Sequence, residues 1–330
     1  MTRTRFVVGV DLGGTKISVG AMPADGSRQL ALHSKPTLAD RGADAVVERI
    51  AEMVETAIAG TIAETGVARD AFLGVGIGSP GPLDRERGLV ITTPNLGWHN
   101  FPLRDRVSHD VRLRATLDND ANCATVGEWW VGAARGARNV VGLTIGTGIG
   151  GGLILDGKLY HGASDVAGEV GHTSIDSTGR RCKCGNYGCL EAYASGPATA
   201  DRAREALAGG EDSLLIAMVD GKLEDLTAQH VYDASKRGDS VAGEVVRETA
   251  RFIGTGIANL LNIFNPDVVV LAGGVAQAGE ELFGPVRAEV RRRAFKPAVD
   301  ACRIVPGALG GSAGVVGAVA TFLAQHPAEA

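Results

Sequence analysis

The sequence has no unbroken apolar run of the ~18 residues that would suggest a membrane-spanning helix. It also lacks an apolar leader: Met1-Thr-Arg-Thr-Arg5 runs straight into a strand-like segment at Phe6. Together these absences set the expectation of a cytoplasmic protein with no membrane partner. No block of like charge stands out. The 33 basic and 38 acidic side chains give a net charge of −5, which argues against nucleic acid as a partner. Cysteine is scarce, with five in all, and an odd count does not suit a disulfide framework. Cys123 and Cys302 stand apart and are expected to be small buried hydrophobes. The other three crowd into one short stretch.

That stretch reads E-V-G-H at Glu169–His172, then nine residues, then C-K-C-G-N-Y-G-C-L-E at Cys182–Glu191. Three thiols and an imidazole, His172 with Cys182, Cys184 and Cys189, make a complete tetrahedral set for zinc. No ligand position is left open, so a metal here is expected to be structural. Glu169 and Glu191 bracket the set, and a pinned loop would fix where those carboxylates point.

Glycine is abundant, at 47 residues, and falls in short runs after apolar segments. Phe6–Val10 and Ile17–Met22 read as two strands of a hairpin. Between them, Asp11-Leu-Gly-Gly-Thr-Lys16 offers backbone N–H groups at Gly13 and Gly14, where no Cβ blocks an anion. Thr15 and Lys16 add a hydroxyl and a cation. Asp11 stands at a strand end, suited to orienting hydrated magnesium. A plain solvated hairpin turn fits the same residues.

The same pattern returns at Thr144–Gly152. It contains a nominal GxGxxG, but a dinucleotide fingerprint must open a helix. Here Leu153–Tyr160 reads as a strand with an Asp-Gly turn, so that reading fails. Asp118-Asn-Asp-Ala-Asn122 lies between a short strand, 115–117, and a helix running from about 121 through Trp130. One of its members is expected to cap the helix while another is placed to act as a carboxylate base. Asn95 and Trp98 could line a pocket or simply pack. Helical periodicity marks 44–64, 103–111, 193–207, 227–236, 241–263, 280–293 and 314–323. Buried strands are expected at 72–77, 139–143, 267–272 and 303–305. Each half therefore has a strand–glycine turn–strand unit, then helices, then a buried strand ending in glycine.

These segments together resemble the ROK family of sugar kinases, its bacterial glucokinases above all. The likeness is carried by D-L-G-G-T-K at Asp11–Lys16, N-D-A-N at Asn119–Asn122 and G-T-G-I-G-G-G at Gly146–Gly152. It is carried further by the two segments of the cysteine loop and by L-A-G-G-V at Leu271–Val275. The resemblance covers nearly the whole chain. It implies an α/β, two-domain actin-like ATPase (ribonuclease H-like) fold, with an interdomain cleft and a zinc loop at 172–189. Residues 1–116 with 306–330 would form a small domain and 117–305 a large one. It implies transfer of the ATP γ-phosphate, with Mg²⁺, to the 6-hydroxyl of a hexose, glucose being expected. Fructose, N-acetylglucosamine, N-acetylmannosamine or allose as acceptor, and polyphosphate as donor, are the alternatives. By the same resemblance Asp120 is the general base, and Asn119, Glu169, His172 and Glu191 bind sugar hydroxyls, with Gly81 and Asn95 as neighbours. Gly13, Gly14, Thr15, Lys16, Thr147 and Gly148 face phosphate, Gly273 and Gly274 the adenosine, and Asp11 organises magnesium. A homodimer or homotetramer is implied. Family members that are repressors carry a helix-turn-helix ahead of the kinase-like part, and a first strand at Phe6 sets the expectation that none precedes it here. A sugar-sensing protein without catalysis is disfavoured by Asp120 and the two glycine turns.

Overall fold

The structure is a computed structural model that describes residues 4–93 and 95–327. The apolar segments after the N-terminus form β1 (Phe6–Leu12), β2 (Lys16–Pro23), β3 (Leu30–Pro36) and β4 (Phe72–Ser79). A small meander follows: β5 (Leu83–Asp84), β6 (Leu89–Thr93) and β7 (Trp98–Phe101). Then comes β8 (Arg114–Asn119). The first sheet has the order β3-β2-β1-β4-β8. β1 and β2 are an antiparallel hairpin, while β1–β4 and β4–β8 pair in parallel.

The second sheet is built from β9 (Val140–Ile145), β10 (Ile149–Leu155), β11 (Lys158–Leu159), β12 (Val268–Ala272) and β13 (Arg303–Pro306). Its order, β11-β10-β9-β12-β13, repeats that of the first. A hairpin supplies one side and parallel strands the other, as in the actin-like ATPase fold. The chain groups into two compact units. One comprises 1–136, 152–168 and 308–330; the other comprises 137–151 and 169–307.

In the first unit, alternation along β1 divides the side chains between two faces. Phe6, Val8 and Val10 join a core with the helix Ala43–Thr65, which buries Val46, Val47, Ile50, Met53, Val54, Ala57 and Ile58. Val7 turns the other way, into a cluster with Val316, Val319 and Phe322 of the C-terminal helix Ala313–Gln325. Glycines share that second face. A Cβ on Gly9 would overlap the Val315 carbonyl, and one on Gly76 the Ala318 carbonyl. The helix backbone therefore rests directly on the strand backbones. The neighbouring helix Asp120–Trp130 meets it in the same way, since a Cβ on Gly317 would overlap the Cys123 carbonyl.

In the second unit the long helix Ser240–Phe264 is capped by Asp239, whose carboxylate accepts from Ala242 N at 2.8 Å. It ends on left-handed Asn265, ahead of Pro266. The Asp-Gly turn between β10 and β11, at 156–157 in the first unit, has positive φ at both residues, 51° and 72°, the signature of a tight hairpin. Among the described residues no helix is long and apolar enough to cross a membrane.

Three elements were not legible from periodicity: the meander from β5 to β7 and the short helices Leu214–Met218 and Lys296–Ala301. Trp98 proves to be a core residue, 3% exposed and packed on Phe101 with ring centroids 4.6 Å apart.

The glycine face yields a stability prediction. Gly76→Ala sets a methyl group against helix backbone, which cannot swing aside, and is expected to destabilise the protein by about 3 kcal/mol. A urea midpoint unchanged from the parent would refute the backbone-on-backbone packing.

Candidate active site and metal loop

In the first unit the turn from β1 to β2 closes through Gly13 N donating to Lys16 O at 2.9 Å. Thr37 braces it: its hydroxyl donates to Gly13 O at 2.7 Å, and its N–H to Thr15 O at 2.9 Å. Gly13 and Gly14 are partly exposed, and Thr15 and Lys16 are exposed. Asn95 lies beside this turn, since a Cβ on Gly14 would sit 3.0 Å from Asn95 Cβ. Asp11, at the end of β1, has its carboxyl pushed up from the ordinary 3.8 to about 7. Burial is the main cause; the charge of Asp120 adds to it and Lys16 opposes it.

The acidic cluster at the end of β8 divides its labour. Asn119 is the helix cap, its Oδ1 accepting from Ala121 N at 2.9 Å and Asn122 N at 3.1 Å. Asp118 is 1% exposed and turns inward. Asp120 is the first residue of the helix Asp120–Trp130, half-buried, with Oδ1 accepting from Ala121 N at 2.9 Å. Gly81 lies close by, with Asn119 Nδ2 3.6 Å from where its Cβ would be. The structure thus brings Asp11 and Asp120, Gly81 and Asn119, and Gly14 and Asn95 together as pairs.

In the second unit the turn from β9 to β10 closes through Gly146 N to Gly148 O at 2.9 Å, and Gly196 N donates to Gly146 O at 2.8 Å. Thr147 is exposed at its tip. A cavity of about 430 Å³ opens beside it, lined among others by Thr147, Pro197, Gln229, Tyr232 and Gly274. The Tyr232 hydroxyl is buried without a partner. Gly273 does not line this cavity. Its φ of +90° and its closeness to the Ile145 backbone admit no side chain, so it shapes the turn that presents Gly274.

The cysteine loop folds on itself. Cys182 N donates to Asn186 O at 2.8 Å and Gly185 N to Cys182 O at 3.0 Å. His172 Nδ1 lies 3.7 Å from Cys182 Sγ, and Cys184 Sγ 3.7 Å from Cys189 Sγ. All four ligand atoms fall within 4.8 Å of one another. Zn–S bonds of ~2.3 Å on a tetrahedron give edges of ~3.8 Å, so the set is compatible with zinc. It is the one such group among the described residues. Because Nδ1 faces the thiols, Nε2 of His172 is left for another partner. Glu191 links the loop to the glycine turn: Oε2 accepts from Ile149 N at 2.8 Å, and Oε1 lies 3.9 Å from Cys182 Sγ. Glu169 precedes the short turn Val170–His172, its carbonyl accepting from His172 N at 3.1 Å.

Sequence reasoning missed Pro197, Gln229 and Tyr232, which sit in ordinary amphipathic helices and carry no spacing signal. It also missed the partners of Asp118. Of these, Arg85 and His161 come from segments far away in sequence.

Comparison with known proteins identifies the family. The sequence matches the ROK family over residues 7–325. It is 39% identical over 313 residues to a glucokinase of Thermotoga maritima, covering 94% of this chain and 95% of that one. To a glucokinase of Streptomyces coelicolor it is 36% identical, covering 98% of each. Among solved structures it is similar to a ROK family glucokinase from Streptomyces griseus in complex with glucose and AMPPNP. That match has a TM-score of 0.82 at 36% identity, over 96% of this chain and 98% of the other. A hairpin turn in each sheet, an acid-led helix after β8 and a His–Cys₃ loop make up the candidate site. The chain belongs to the ROK family.

The position of Asp11 generates a prediction about pH. Its carboxyl is raised in the folded state, so between pH 4 and 7 the native protein binds more protons than the unfolded chain. Its contribution therefore weakens stability as pH rises through that window. Asp11→Asn is expected to stabilise the unliganded protein at pH 8 by on the order of 2 kcal/mol, with no gain at pH 4. Denaturation midpoints at the two values measure this; an equal change at both would show that Asp11 titrates normally.

Proposed function

We propose that this protein is a glucokinase, transferring the γ-phosphoryl group of ATP to the 6-hydroxyl of glucose. The observation that carries the proposal is Asp120, a carboxylate at the first turn of a helix whose cap is supplied by its neighbour Asn119. The near full-length likeness to glucokinases supports glucose as the acceptor.

A sugar hydroxyl is a very weak acid, so its proton must leave as the O–P bond forms. Asp120 Oδ2 would accept that proton in the transition state. Little else is covalent for the protein to do, and the remaining residues position groups and balance charge. Gly13, Gly14 and Thr15 on one turn, with Thr147 and Gly148 on the other, would present N–H and hydroxyl donors to the phosphates. Lys16 adds a cation. The cavity beside Thr147 and Gly274, with the unpartnered Tyr232 hydroxyl, suits a nucleoside better than a polyphosphate chain. Asn119, Glu169, His172 and Glu191 offer the mixed donors and acceptors that sugar hydroxyls require, with Gly81 and Asn95 as neighbours.

Asp11 fits a magnesium role because its half-buried carboxylate stands beside Asp120, where a divalent cation would balance both charges. Bound Mg²⁺ would neutralise phosphate charge during transfer. Zinc held by His172, Cys182, Cys184 and Cys189 would be structural, fixing the His172 ring so that Nε2 donates to a hydroxyl.

Two outcomes test this. Asp120→Asn is expected to lower kcat about 1,000-fold while calorimetry still shows glucose bound within a few-fold of the parent affinity. Turnover close to normal would remove Asp120 as the base. Cys184→Ala is expected to lose bound zinc together with thermal stability and at least about tenfold in kcat/KM. Full activity in protein shown to be metal-free would contradict the structural zinc.

A further inference from the structure

Asp118, immediately before the Asn119–Asp120 pair, has no role in the chemistry above, yet its carboxylate is buried and held on both oxygens. It is 1% exposed. Oδ1 accepts from Asn119 N at 2.8 Å and from Asn122 Nδ2 at 3.2 Å. Oδ2 faces His161 Nε2 at 2.9 Å and Arg85 Nε at 3.1 Å. Arg85 runs on to Asp165, whose carboxylate accepts from Arg85 N at 3.1 Å and lies 3.4 Å from Arg85 Nη1. One buried carboxylate thus gathers an ion pair from the turn after β5 and hydrogen bonds from the loop after β11 and from both sides of Asp120.

We infer that Asp118, held by His161 and Arg85, is a positioning residue that sets the geometry of Asp120. Asn119 and Asn122 bracket Asp120, and the same Asp118 oxygen grips the backbone of one and the side chain of the other. Asn119 is in turn the helix cap. A shift of Asp118 therefore moves the start of the helix, and with it the carboxylate that must meet a hydroxyl proton. Net stability is a poor reason for this arrangement. Taking a carboxylate and a guanidinium out of water costs about as much as their pairing returns, and apolar side chains would pack there as well or better. Three hydrogen bonds and one ion pair on a single buried carboxylate do, however, over-determine its position, which is what a base on a helix end requires. Asn122 Oδ1 is buried without a partner, so the Asn122 amide is oriented by its bond to Asp118.

Asp118, Arg85 and His161 also line a cavity of about 510 Å³ walled in part by Trp129 and Trp130. The cavity leaves room around His161, which can be exchanged without crowding the core. His161 is thus the better handle where loss of Asp118 unfolds the chain.

This inference rests on Asp120 being the base, and the experiment separates the two. Steady-state turnover of glucose with Mg-ATP is measured for Asp118→Asn, His161→Ala, His161→Gln, Asp120→Asn and the double variant His161→Ala/Asp120→Asn. Thermal melts confirm folding at the assay temperature. Asp118→Asn is expected to lose about 100-fold in kcat and His161→Ala about tenfold, with KM for both substrates within about twofold. His161→Gln still offers an N–H to Asp118 and recovers most of that loss. On the Asp120→Asn background, His161→Ala changes nothing further, because the group it positions is gone. The inference is overturned if folded Asp118→Asn and His161→Ala keep parental kcat, if Gln and Ala at 161 are equally impaired, or if the losses multiply in the double variant. If Asp120→Asn itself turns over normally, the assignment of the base falls first and the positioning role with it.

Discussion

The contact on which the first unit depends is backbone against backbone. The helix Ala313–Gln325 lies on a face where Gly9 and Gly76 let its backbone touch the strands directly, while Gly74 makes room for the Phe322 ring. Gly127 and Gly317 extend the same close approach to the helix Asp120–Trp130. Side chains change rotamer readily, whereas backbones in contact do not, so this packing transmits position with little slack. Both acids of the proposed chemistry hang from it. Asp11 ends β1 directly over Gly314, where a Cβ would strike its carboxylate, and Asp120 opens the helix that Gly317 meets.

The two sheets repeat one order, and their hairpin turns have diverged in a way the fold explains. The first turn carries a lysine and is braced by a threonine hydroxyl. The second has no cation; its Ile149 N–H is instead taken up by Glu191, from the end of the cysteine loop. Cysteine loop and glycine turn are therefore linked in the second unit through Glu191.

Much of this was legible in the sequence because the signals are local. Alternation along β1, the seven apolar positions of Ala43–Thr65 and the spacing of His172, Cys182, Cys184 and Cys189 each encode their outcome within one segment. The rejection of a dinucleotide fingerprint at 146–152 held, since Ile149–Leu155 is a strand. What escaped depends on distance. Leu83–Asp84 is too short for periodicity to register, and it becomes a strand only by pairing with Val90 and Leu89. Arg85, Asp118 and His161 have no spacing pattern, since only the fold brings them together. Tyr232 reads as an amphipathic helix residue until the cavity beside it is seen. The Asn-Asp run at 118–122 was ambiguous for a different reason: cap, anchor and base draw on the same residue types, and only hydrogen bonds tell them apart.

The most direct measurement is ADP release from Mg-ATP across a panel of hexoses, with glucose, fructose, mannose, allose and the N-acetylated sugars as acceptors. The account predicts turnover with glucose far above the others and glucose 6-phosphate as product. Turnover centred on a ketose or an N-acetylated sugar would contradict the assigned substrate, and silence with every sugar would contradict ATP-dependent sugar phosphorylation.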